Sequence, residues 1–425
     1  MTSEGPSRGA RTVFAAALAI YVAAAAWLLW RTAILEPYSD MFDWLDRYWA
    51  LRDGGRLGAY LWAPHNVHHL VWTFAILAGD IRLFGASSAL FLAAGAGCLA
   101  ATAALLAWTA AKAAEPRLRL PAAGAAAALS AMGCHVLDAS ADINTTYLHA
   151  LVFAVAAVAL AEARPRGWPL TAILCATAAG LGNAAGLAVW PALVAGAALR
   201  RDRRWAIAVA VAGLAFGLVY LIGEPARPLG VFTAGRWLAA GQLFLTYLGL
   251  PWSRGLDPFG WVLGAAALCA SAWALWRSAQ TAEWPRRAAV GLIVFSLGTA
   301  ALAAGGRGGL IRPDQPPMRY AVFLIPLQVG LLIAALPALS WAWRSRPRAM
   351  DAALIALSAL MLIHQALMAD YAVRTADGVR QALAAFHAGR QTPAMLTRIY
   401  PDLAKARSID ERLRREGLYQ RELRP

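Results

Sequence analysis

The 425-residue chain is 60% hydrophobic, with a mean hydropathy of +0.51, which excludes a soluble globular domain. Its net charge of +15 rests almost wholly on arginine, because lysine occurs only at Lys112 and Lys405. Many of the arginines stand in short clusters between apolar segments, a pattern typical of cytoplasmic loops rather than of a nucleic-acid-binding surface.

Apolar segments recur along the chain and predict an all-α polytopic membrane protein. A membrane-spanning helix needs about 20 mostly apolar residues. The first segment is long and many more follow it, so we read it as a retained helix rather than a cleaved signal peptide. Gly182 and Asn183 divide one apolar run into two short helices joined by a tight turn. The prediction is about eleven transmembrane helices, at roughly residues 12–33, 88–111, 120–137, 148–163, 168–182, 184–199, 205–223, 258–276, 287–304, 319–339 and 350–369.

The basic clusters predict an orientation, because loops rich in arginine favour the cytoplasmic side. Arg8 and Arg11 place the N-terminus inside. The inside loops are then 112–119, 164–166, 200–204, 277–287 and 344–348, and the outside loops are 34–87, 138–147, 224–257 and 305–318. Residues 1–369 form the predicted transmembrane domain, and 370–425 form a polar, basic, partly helical tail. The helix count puts this tail outside while its charge favours the inside, so its side stays open.

The first outside loop holds the densest set of titratable groups and two predicted interfacial helices. Asp40, Asp43 and Asp46 recur every three residues, with tryptophan and tyrosine between them. Aromatic residues of these types favour the membrane interface, and carboxylates in a first helical turn are favoured by the helix dipole. The segment His69–Phe84 is apolar but short and contains charged residues, which favours a helix lying at the outer interface.

Asp40 is the leading catalytic candidate in this loop. It stands at the end of the first membrane helix, behind Pro37, where its side chain can face the helix bundle. A carboxylate held between two helix ends and partly removed from water is suited to act as a general base near neutral pH. Asp43 is a second, weaker catalytic candidate, because the interfacial helix already accounts for it.

The segment PHNVHH supplies the binding candidates His65, Asn66 and His69. A histidine pair at i and i+4 could ligate a metal if the segment were helical. The sequence offers neither a third ligand at a recognisable spacing nor an HExxH pattern, so binding of a substrate phosphate or hydroxyl is favoured over a metal site. The alternative is that these are plain polar residues at the membrane interface. The four cysteines stand singly within apolar stretches and predict small buried residues, with no disulfide framework or metal site.

Two further outside loops add polar candidates. The segment DASADINTTY contains Asp138, Asp142 and Asn144. The simplest interpretation is a solvated loop, and the functional alternative is that Asp142 and Asn144 bind substrate. The segment GGRGGLIRPDQPPMRY contains Arg307 and, at the start of the next helix, Arg319 and Tyr320. Arginine on the outside face runs against the usual charge bias, and a planar guanidinium matches phosphate oxygens well. We therefore expect both arginines to bind phosphate.

This arrangement resembles the C-type membrane glycosyltransferases (GT-C), which use polyprenyl-phosphate-linked sugars as donors. EPYSD ends the first helix with an acidic residue where that superfamily has its catalytic acidic motif, and RGGLIRPDQPPMRYAVF is similar to its late outside loop. The resemblance is nearest to bacterial members with an HNEHR-like motif, which here is HNVHH at positions 65 to 69. The glutamate of that motif is replaced by Val67 and its arginine by His69.

The resemblance implies a transferase in the bacterial inner membrane with its active face on the periplasmic side. The donor would be a polyprenyl-phosphate-linked sugar, with its phosphate held by Arg307 and Arg319, and the acceptor a lipid, a glycan or a protein. Asp40 would deprotonate the acceptor hydroxyl. No cofactor is implied, and the sequence does not support a divalent metal.

Other classes of protein share parts of this pattern. A transporter or flippase of lipid-linked saccharides would place ionisable residues within its helices, whereas here the polar groups gather at one face of the membrane. A glycan polymerase or ligase would have the same outer face and arginine-rich loops. A non-catalytic assembly subunit is the third alternative.

Overall fold

The structure, a computed structural model, describes residues 5–66, 68–222, 234–253, 259–280, 283–307, 311–312, 316–390 and 399–418. Within these ranges, eight helices are long and apolar enough to cross a membrane, or nine if one bent pair is a single span. The chain is thus an all-α polytopic membrane protein. The helices are α1 (Arg8–Thr32), α2 (Met41–Asp53), α3 (Leu57–Leu61), α4 (Val71–Phe84), α5 (Ala89–Ala113), α6 (Arg119–Ser130), α7 (Gly133–Ser140), α8 (Thr145–Ala163), α9 (Trp168–Gly182), α10 (Val189–Leu199), α11 (Arg203–Leu221), α12 (Ala234–Gly249), α13 (Phe259–Ala279), α14 (Trp284–Arg307), α15 (Ile325–Ser345), α16 (Pro347–His387) and α17 (Leu403–Arg415).

Shorter elements connect several of these helices. Strands β1 (Pro64–His65) and β2 (His68–His69) form a small antiparallel hairpin between α3 and α4. Single 3₁₀ turns cover Pro116–Leu118, Asp142–Asn144, Ala184–Ala188 and Met318–Leu324. The turn predicted at Gly182 and Asn183 is confirmed: the Asn183 side chain accepts a hydrogen bond from the amide of Ala185 at 3.0 Å. This side chain caps the 3₁₀ turn that leads into α10.

The span predicted at residues 120–137 is broken in the middle. Helices α6 and α7 meet at an angle of 52°. Gln365 of α16 lies at the break, where its Oε1 accepts from the amide of Gly133 at 3.0 Å and its Nε2 donates to the carbonyl of Ala131 at 3.2 Å. A break within a membrane leaves backbone groups without partners, and this side chain satisfies two of them. The break could not be predicted from the local sequence, because Gln365 is 232 positions away from Gly133.

Helix α12 lies within the segment 224–257, which was expected to be an outside loop. It runs antiparallel to α13, with Gly249 against Gly260 and Gly264 against the backbone of Leu245. A side chain at Gly264 would collide with that backbone, so the two helices depend on glycine for their close approach. At 16 residues, α12 is shorter than the roughly 20 residues that a membrane-spanning helix needs. Helices α9 and α10 are also short, so the predicted count of about eleven spans is confirmed only in part.

The cysteines differ from the expectation of four small buried residues. All four are free, and Cys134 is buried. Cys98 and Cys175 are half-buried, and Cys269 is exposed on α13. Exposure of an apolar helix face in a membrane protein means contact with lipid rather than with water, so a cysteine in an apolar stretch need not face the protein core.

The five loops predicted to lie inside meet at one end of the helix bundle, which we call the basic end. Arg344 pairs with Glu115 at 2.9 Å, and Arg164 pairs with Asp202 at 2.6 Å. At this end Glu162 is 5% exposed and is bound by Arg200 and by Arg287, whose Nε lies 3.2 Å from its Oε2. The grouping of the basic loops is therefore confirmed by direct contacts between them.

Replacing Glu162 by Ala should destabilise the bundle, because it would leave two guanidinium groups without their shared carboxylate. Removing one partner of a buried ion pair costs roughly 3–5 kcal/mol. A fall in the thermal unfolding temperature of the detergent-solubilised protein would show this. Asp370 pairs with Arg374, which is 79% exposed, and its replacement by Ala should change the temperature little. Equal effects of the two substitutions would contradict the prediction.

The opposite end, which we call the site end, has a hydrophobic core of its own. It packs Phe42 and Trp44 of α2 and Phe74 of α4 against α16 and the residues that follow it. Helix α16 runs unbroken from Pro347 to His387, so the expected boundary between residues 369 and 370 falls inside a helix. We call residues 399–418 the C-terminal segment. It lies against α2, in the first of the loops that were predicted to be outside.

Candidate functional site

The predicted amphipathic helix after the first span is present as α2, and Asp40 occupies its N-cap position. The Asp40 side chain does not cap the helix. Its Oδ2 lies instead 3.2 Å from Nε2 of His65, and the side chain is 50% exposed. Ser39, just before it, has a φ of 54°, a left-handed conformation that is uncommon for a residue other than glycine. The carboxylate is thus turned away from its own helix and towards His65.

His65 lies in a hairpin rather than in a helix. β1 pairs with β2 so that His65 faces His68, and Asn66 forms the turn with a φ of 56°; position 67 is not described. The metal pair that required His65 and His69 at i and i+4 of a helix is therefore not formed. No group of three or more His, Cys, Asp or Glu side chains in the described ranges is placed to hold a metal ion.

The His65 ring couples Asp40 to Asn66. It is nearly buried, packs edge-on against Trp44 at 5.7 Å between ring centres, and has Nε2 3.2 Å from both the Asp40 carboxylate and the Asn66 Nδ2. A protonated Nε2 donates to Asp40, whereas an unprotonated Nε2 accepts from Asn66. The hydrogen bond between His65 and Asp40 therefore depends on where the proton resides, which is a useful property in a proton-accepting site.

His69 has a different environment, although it lies on the next strand. It is 1% exposed and stacks on Trp62, with ring centres 4.4 Å apart. Its Nδ1 lies 2.8 Å from the carbonyl oxygen of Trp62, and its Nε2 lies 3.0 Å from that of Tyr220 on α11. Both ring nitrogens are engaged within the protein, so in this structure His69 joins the hairpin to α11.

Arg307 and Arg319 meet on the ring of Tyr320. Arg307 ends α14 and Arg319 lies in the 3₁₀ turn before α15, and their guanidinium carbons are 5.1 and 5.7 Å from the centre of the Tyr320 ring. Tyr147 and Tyr247 pack on the same ring at 5.4 and 5.5 Å. Cations are attracted to aromatic faces, so Tyr320 brings two positive charges together. We call these five residues the arginine–tyrosine cluster.

Arg319 connects this cluster to Asp40. Its Nε is buried and has no hydrogen-bond partner among the described residues. Its charge interacts with Tyr147 and Tyr320 in the cluster and with the carboxylate of Asp40. Asp40 and Arg319, which the sequence separates by some 270 residues, therefore lie close enough in the structure for their charges to interact. In addition, a buried guanidinium N–H without a partner is free to donate to a bound anion.

Asp138 also belongs to this region, although the sequence favoured a solvated loop here. It lies in α7 and is 2% exposed. One oxygen accepts from Nδ2 of Asn144 at 2.9 Å, the other has no partner among the described residues, and its charge interacts with Arg319. The side chain of Asp142 is outside what the structure describes. Asp138 was considered only as part of a solvated loop, and Tyr147 and Tyr247 were missed because each is a lone tyrosine without a charged neighbour.

Asp43 faces the C-terminal segment. Its Oδ1 accepts from the hydroxyl of Tyr400 at 2.6 Å and from Nζ of Lys405 at 2.7 Å, and Lys405 also pairs with Asp46 at 2.9 Å. Burial acts to raise the pKa of Asp43, but the hydrogen bonds from Lys405 and Tyr400 prevail and hold that pKa below its ordinary value. Burial and the neighbouring Asp43 raise the pKa of Tyr400 to about 12. Asp43 is thus an anchor, whereas Asp40 is directed to His65.

The C-terminal segment should detach from α2 on acidification. Glu416 accepts hydrogen bonds from Trp49 and Arg52 of α2. Burial acts to raise the pKa of Glu416, but the hydrogen bonds from Arg52 and Arg412 prevail and lower it. Folding lowers the pKa of Asp43 and Glu416. Such a carboxylate stabilises the fold at a pH above the pKa that it has in the unfolded chain, and this stabilisation is lost as the pH falls through its pKa in the folded protein. We expect docking at neutral pH and loosening below about pH 4. Hydrogen exchange of residues 399–418 across this range tests it, and unchanged protection at about pH 3 would contradict it.

Comparison with family models, with curated proteins and with solved structures finds no match to this chain. Its fold and candidate site therefore rest on the structure alone. They define a polytopic α-helical membrane protein that places one aspartate–histidine pair beside an arginine–tyrosine cluster at one end of the bundle.

Proposed function

We propose that this protein is a membrane glycosyltransferase that moves a sugar from a polyprenyl-phosphate donor to an acceptor at the outer face of the membrane. The observation that carries the proposal is that the Asp40–His65 pair and the arginine–tyrosine cluster lie at the same end of an apolar bundle, where the charges of Asp40 and Arg319 interact. This arrangement supports a general base and a phosphate site that serve one substrate. A lipid-linked substrate would reach this position from within the membrane.

The arginine–tyrosine cluster suits the phosphate of such a donor. Arg307 and Arg319 are held on one aromatic ring, so their positive charges converge at one place. A guanidinium group matches phosphate oxygens in its planar geometry. Negative charge increases on the phosphate as it leaves the sugar, and fixed cations at that position stabilise the transition state.

Asp40 is suited to the proton transfer that the reaction needs. The acceptor hydroxyl gives its proton to the carboxylate of Asp40 as its oxygen forms a bond to the anomeric carbon. The bond between that carbon and the phosphate oxygen breaks, and the lipid phosphate leaves with the electron pair. The attack comes from the side opposite the leaving group, so the anomeric configuration is inverted. His65 holds the carboxylate at 3.2 Å and orients it.

The proposal includes a location. The N-terminus would be cytoplasmic, because the basic loops gather at the end of the bundle where α1 begins, and such loops favour the cytoplasm. The site end would then face the periplasm of a bacterial inner membrane. The acceptor, whether lipid, glycan or protein, would approach Asp40 from that side, where the carboxylate is half-exposed.

Turnover of lipid-linked sugars by the purified protein tests this function. The protein is incubated with polyprenyl-phosphate sugars that differ in the sugar, together with a mixture of envelope lipids and glycans as acceptors. Release of the lipid phosphate is followed over time. We expect release with at least one donor, dependent on the acceptor, and with inversion at the anomeric carbon of the product. Absence of release with every donor would reject the enzyme.

A transporter of lipid-linked saccharides is the second candidate, and one observation favours it. The broken pair α6 and α7 carries two fully buried ionisable side chains, His135 and Asp138. Broken helices and buried ionisable groups mark substrate paths in many transporters. Proteoliposomes separate the two functions: a transporter moves a labelled lipid-linked sugar across the bilayer without consuming it, whereas a transferase releases lipid phosphate without net translocation.

A further inference from the structure

We infer that the C-terminal segment is a positioning element of the site: it fixes the backbone that presents Asp40 and keeps Asp43 away from the chemistry. The inference rests on the proposed function for its kinetic consequence, but the contact itself is independent of that function. The segment lies far from Asp40 in sequence and touches α2 along its whole length. Two sets of contacts near Asp40 carry the argument.

The first contact is to the backbone directly before Asp40. Ser39 is held in a left-handed conformation, with a φ of 54°, and its amide donates to the carbonyl oxygen of Ile399 at 2.5 Å. A residue other than glycine in this region of conformational space is strained and persists only where its surroundings impose it. Ile399 is completely buried in the core of the site end. The C-terminal segment therefore imposes the conformation that turns the Asp40 side chain off its own helix.

The second set of contacts removes a competing carboxylate. Asp43 lies three positions after Asp40, on the same side of α2. Lys405 pairs with Asp43 and Asp46, and the hydroxyl of Tyr400 binds Asp43. Phe42 packs on the rings of Phe386 and Tyr400, at 6.2 and 5.7 Å between ring centres. The first turn of α2 is thus fixed on this side, and Asp40 is the carboxylate directed to His65.

The far end of α2 offers a matched control. There Arg412 of the same segment pairs with Asp53 at 2.9 Å, much as Lys405 pairs with Asp43 at 2.7 Å, and the cation side chains are 33% and 31% exposed. At 1.5 Å per residue, Asp53 is roughly 20 Å from Asp40 along the helix axis. Loss of either cation weakens docking of the segment, but only the pair at Asp43 adjoins the candidate base.

The experiment compares Lys405→Met with Arg412→Met in the full-length protein. Misplacement of a catalytic group by about 1 Å costs up to about 100-fold in rate, so we expect Lys405→Met to lower kcat about 10-fold or more with little change in the KM for the donor. Lys405→Arg, which keeps the cation, should retain most of the activity. Arg412→Met should remain within about twofold of the wild type. Equal loss in Lys405→Met and Arg412→Met, or no loss in either, would overturn the inference.

Hydrogen exchange gives a readout that does not depend on turnover. In a peptide covering residues 37–42, Lys405→Met should exchange several-fold faster than the wild type, because the Ser39 amide loses its hold on Ile399. Arg412→Met should leave this peptide unchanged. If the wild type turns over no donor, the proposed function fails, and the exchange data alone then decide the inference. Unchanged exchange in Lys405→Met would overturn it, whatever the enzyme assay shows.

Discussion

Replacing Asp40 by Asn should abolish sugar transfer while leaving donor binding intact. Asn has the same shape as Asp and can still accept a hydrogen bond from the His65 ring, but it cannot take up the proton of the acceptor hydroxyl. Loss of a general base typically lowers the rate by a factor of about 100 to 10,000. The donor phosphate binds to the arginine–tyrosine cluster, so its dissociation constant should change little. Release of lipid phosphate and equilibrium binding of the donor measure the two effects separately.

Asp53 is a well-matched control for this substitution. It lies on the same helix, and its side chain is 53% exposed, against 50% for Asp40. It is bound by Arg52 and Arg412 and lies away from the arginine–tyrosine cluster. Asp53→Asn should therefore retain activity. A fully active Asp40→Asn protein would remove the aspartate from the mechanism, and a loss of donor binding in that variant would show that Asp40 serves binding rather than proton transfer.

The site shows where sequence reasoning succeeds in a chain of this kind. Asp40 stands out in the sequence because it is a carboxylate at the end of an apolar segment, and Arg319 because it is an arginine on the side where the charge bias leaves few arginines. Tyr320 stands out because it follows Arg319. The structure brings these three residues together. The amphipathic pattern of α2 was likewise readable, since its carboxylates and aromatic residues alternate with a helical period.

The parts that could not be predicted depend on contacts between distant residues. Asp138 stands in a segment that favoured a solvated loop, and only the fold reveals that it is buried and that its charge interacts with that of Arg319. Lys405 is one basic residue of a basic tail, and its pairing with Asp43 joins positions 362 residues apart. The break between α6 and α7 depends on Gln365, a residue of another helix. In each case the local sequence pattern cannot predict the environment of the residue, because its contact partner is distant in sequence.

The two candidate histidines illustrate the same limit within five residues. His65 and His69 have the same chemistry and stand on paired strands. The strand geometry directs His65 to the Asp40 carboxylate, while His69 is enclosed by Trp62 and Tyr220. A period-two pattern alone would put them on one face. The turn at Asn66 separates their surroundings, so residue type and spacing were insufficient to assign a role to either.

Replacing Arg319 by Lys should impair transfer more than any other arginine substitution at the site end. Lysine keeps the positive charge but loses the planar fork that binds two phosphate oxygens at once. Removal of one preorganised donor to a developing oxyanion costs about 100- to 1,000-fold in kcat. Arg319 lies against Tyr320 and its charge interacts with that of Asp40, so its loss should affect the transition state more than Arg307→Lys does. The loss should appear in kcat/KM for the donor, measured by release of lipid phosphate.

Arg312 provides the control, because it belongs to the same stretch between α14 and α15 and is exposed rather than buried. The kcat/KM of Arg312→Lys for the donor should stay close to that of the wild type. The loss in Arg319→Lys would then be due to the position of Arg319 and not to the removal of one guanidinium group from this face. Thermal unfolding of each variant establishes whether the protein is folded. A folded Arg319→Lys protein with wild-type kcat/KM would contradict phosphate binding at the cluster. A folded variant that loses transfer but still binds the donor tightly would show that Arg319 acts in the transition state alone. A cation that stabilises only the leaving phosphate adds nothing to the affinity for the donor in the ground state.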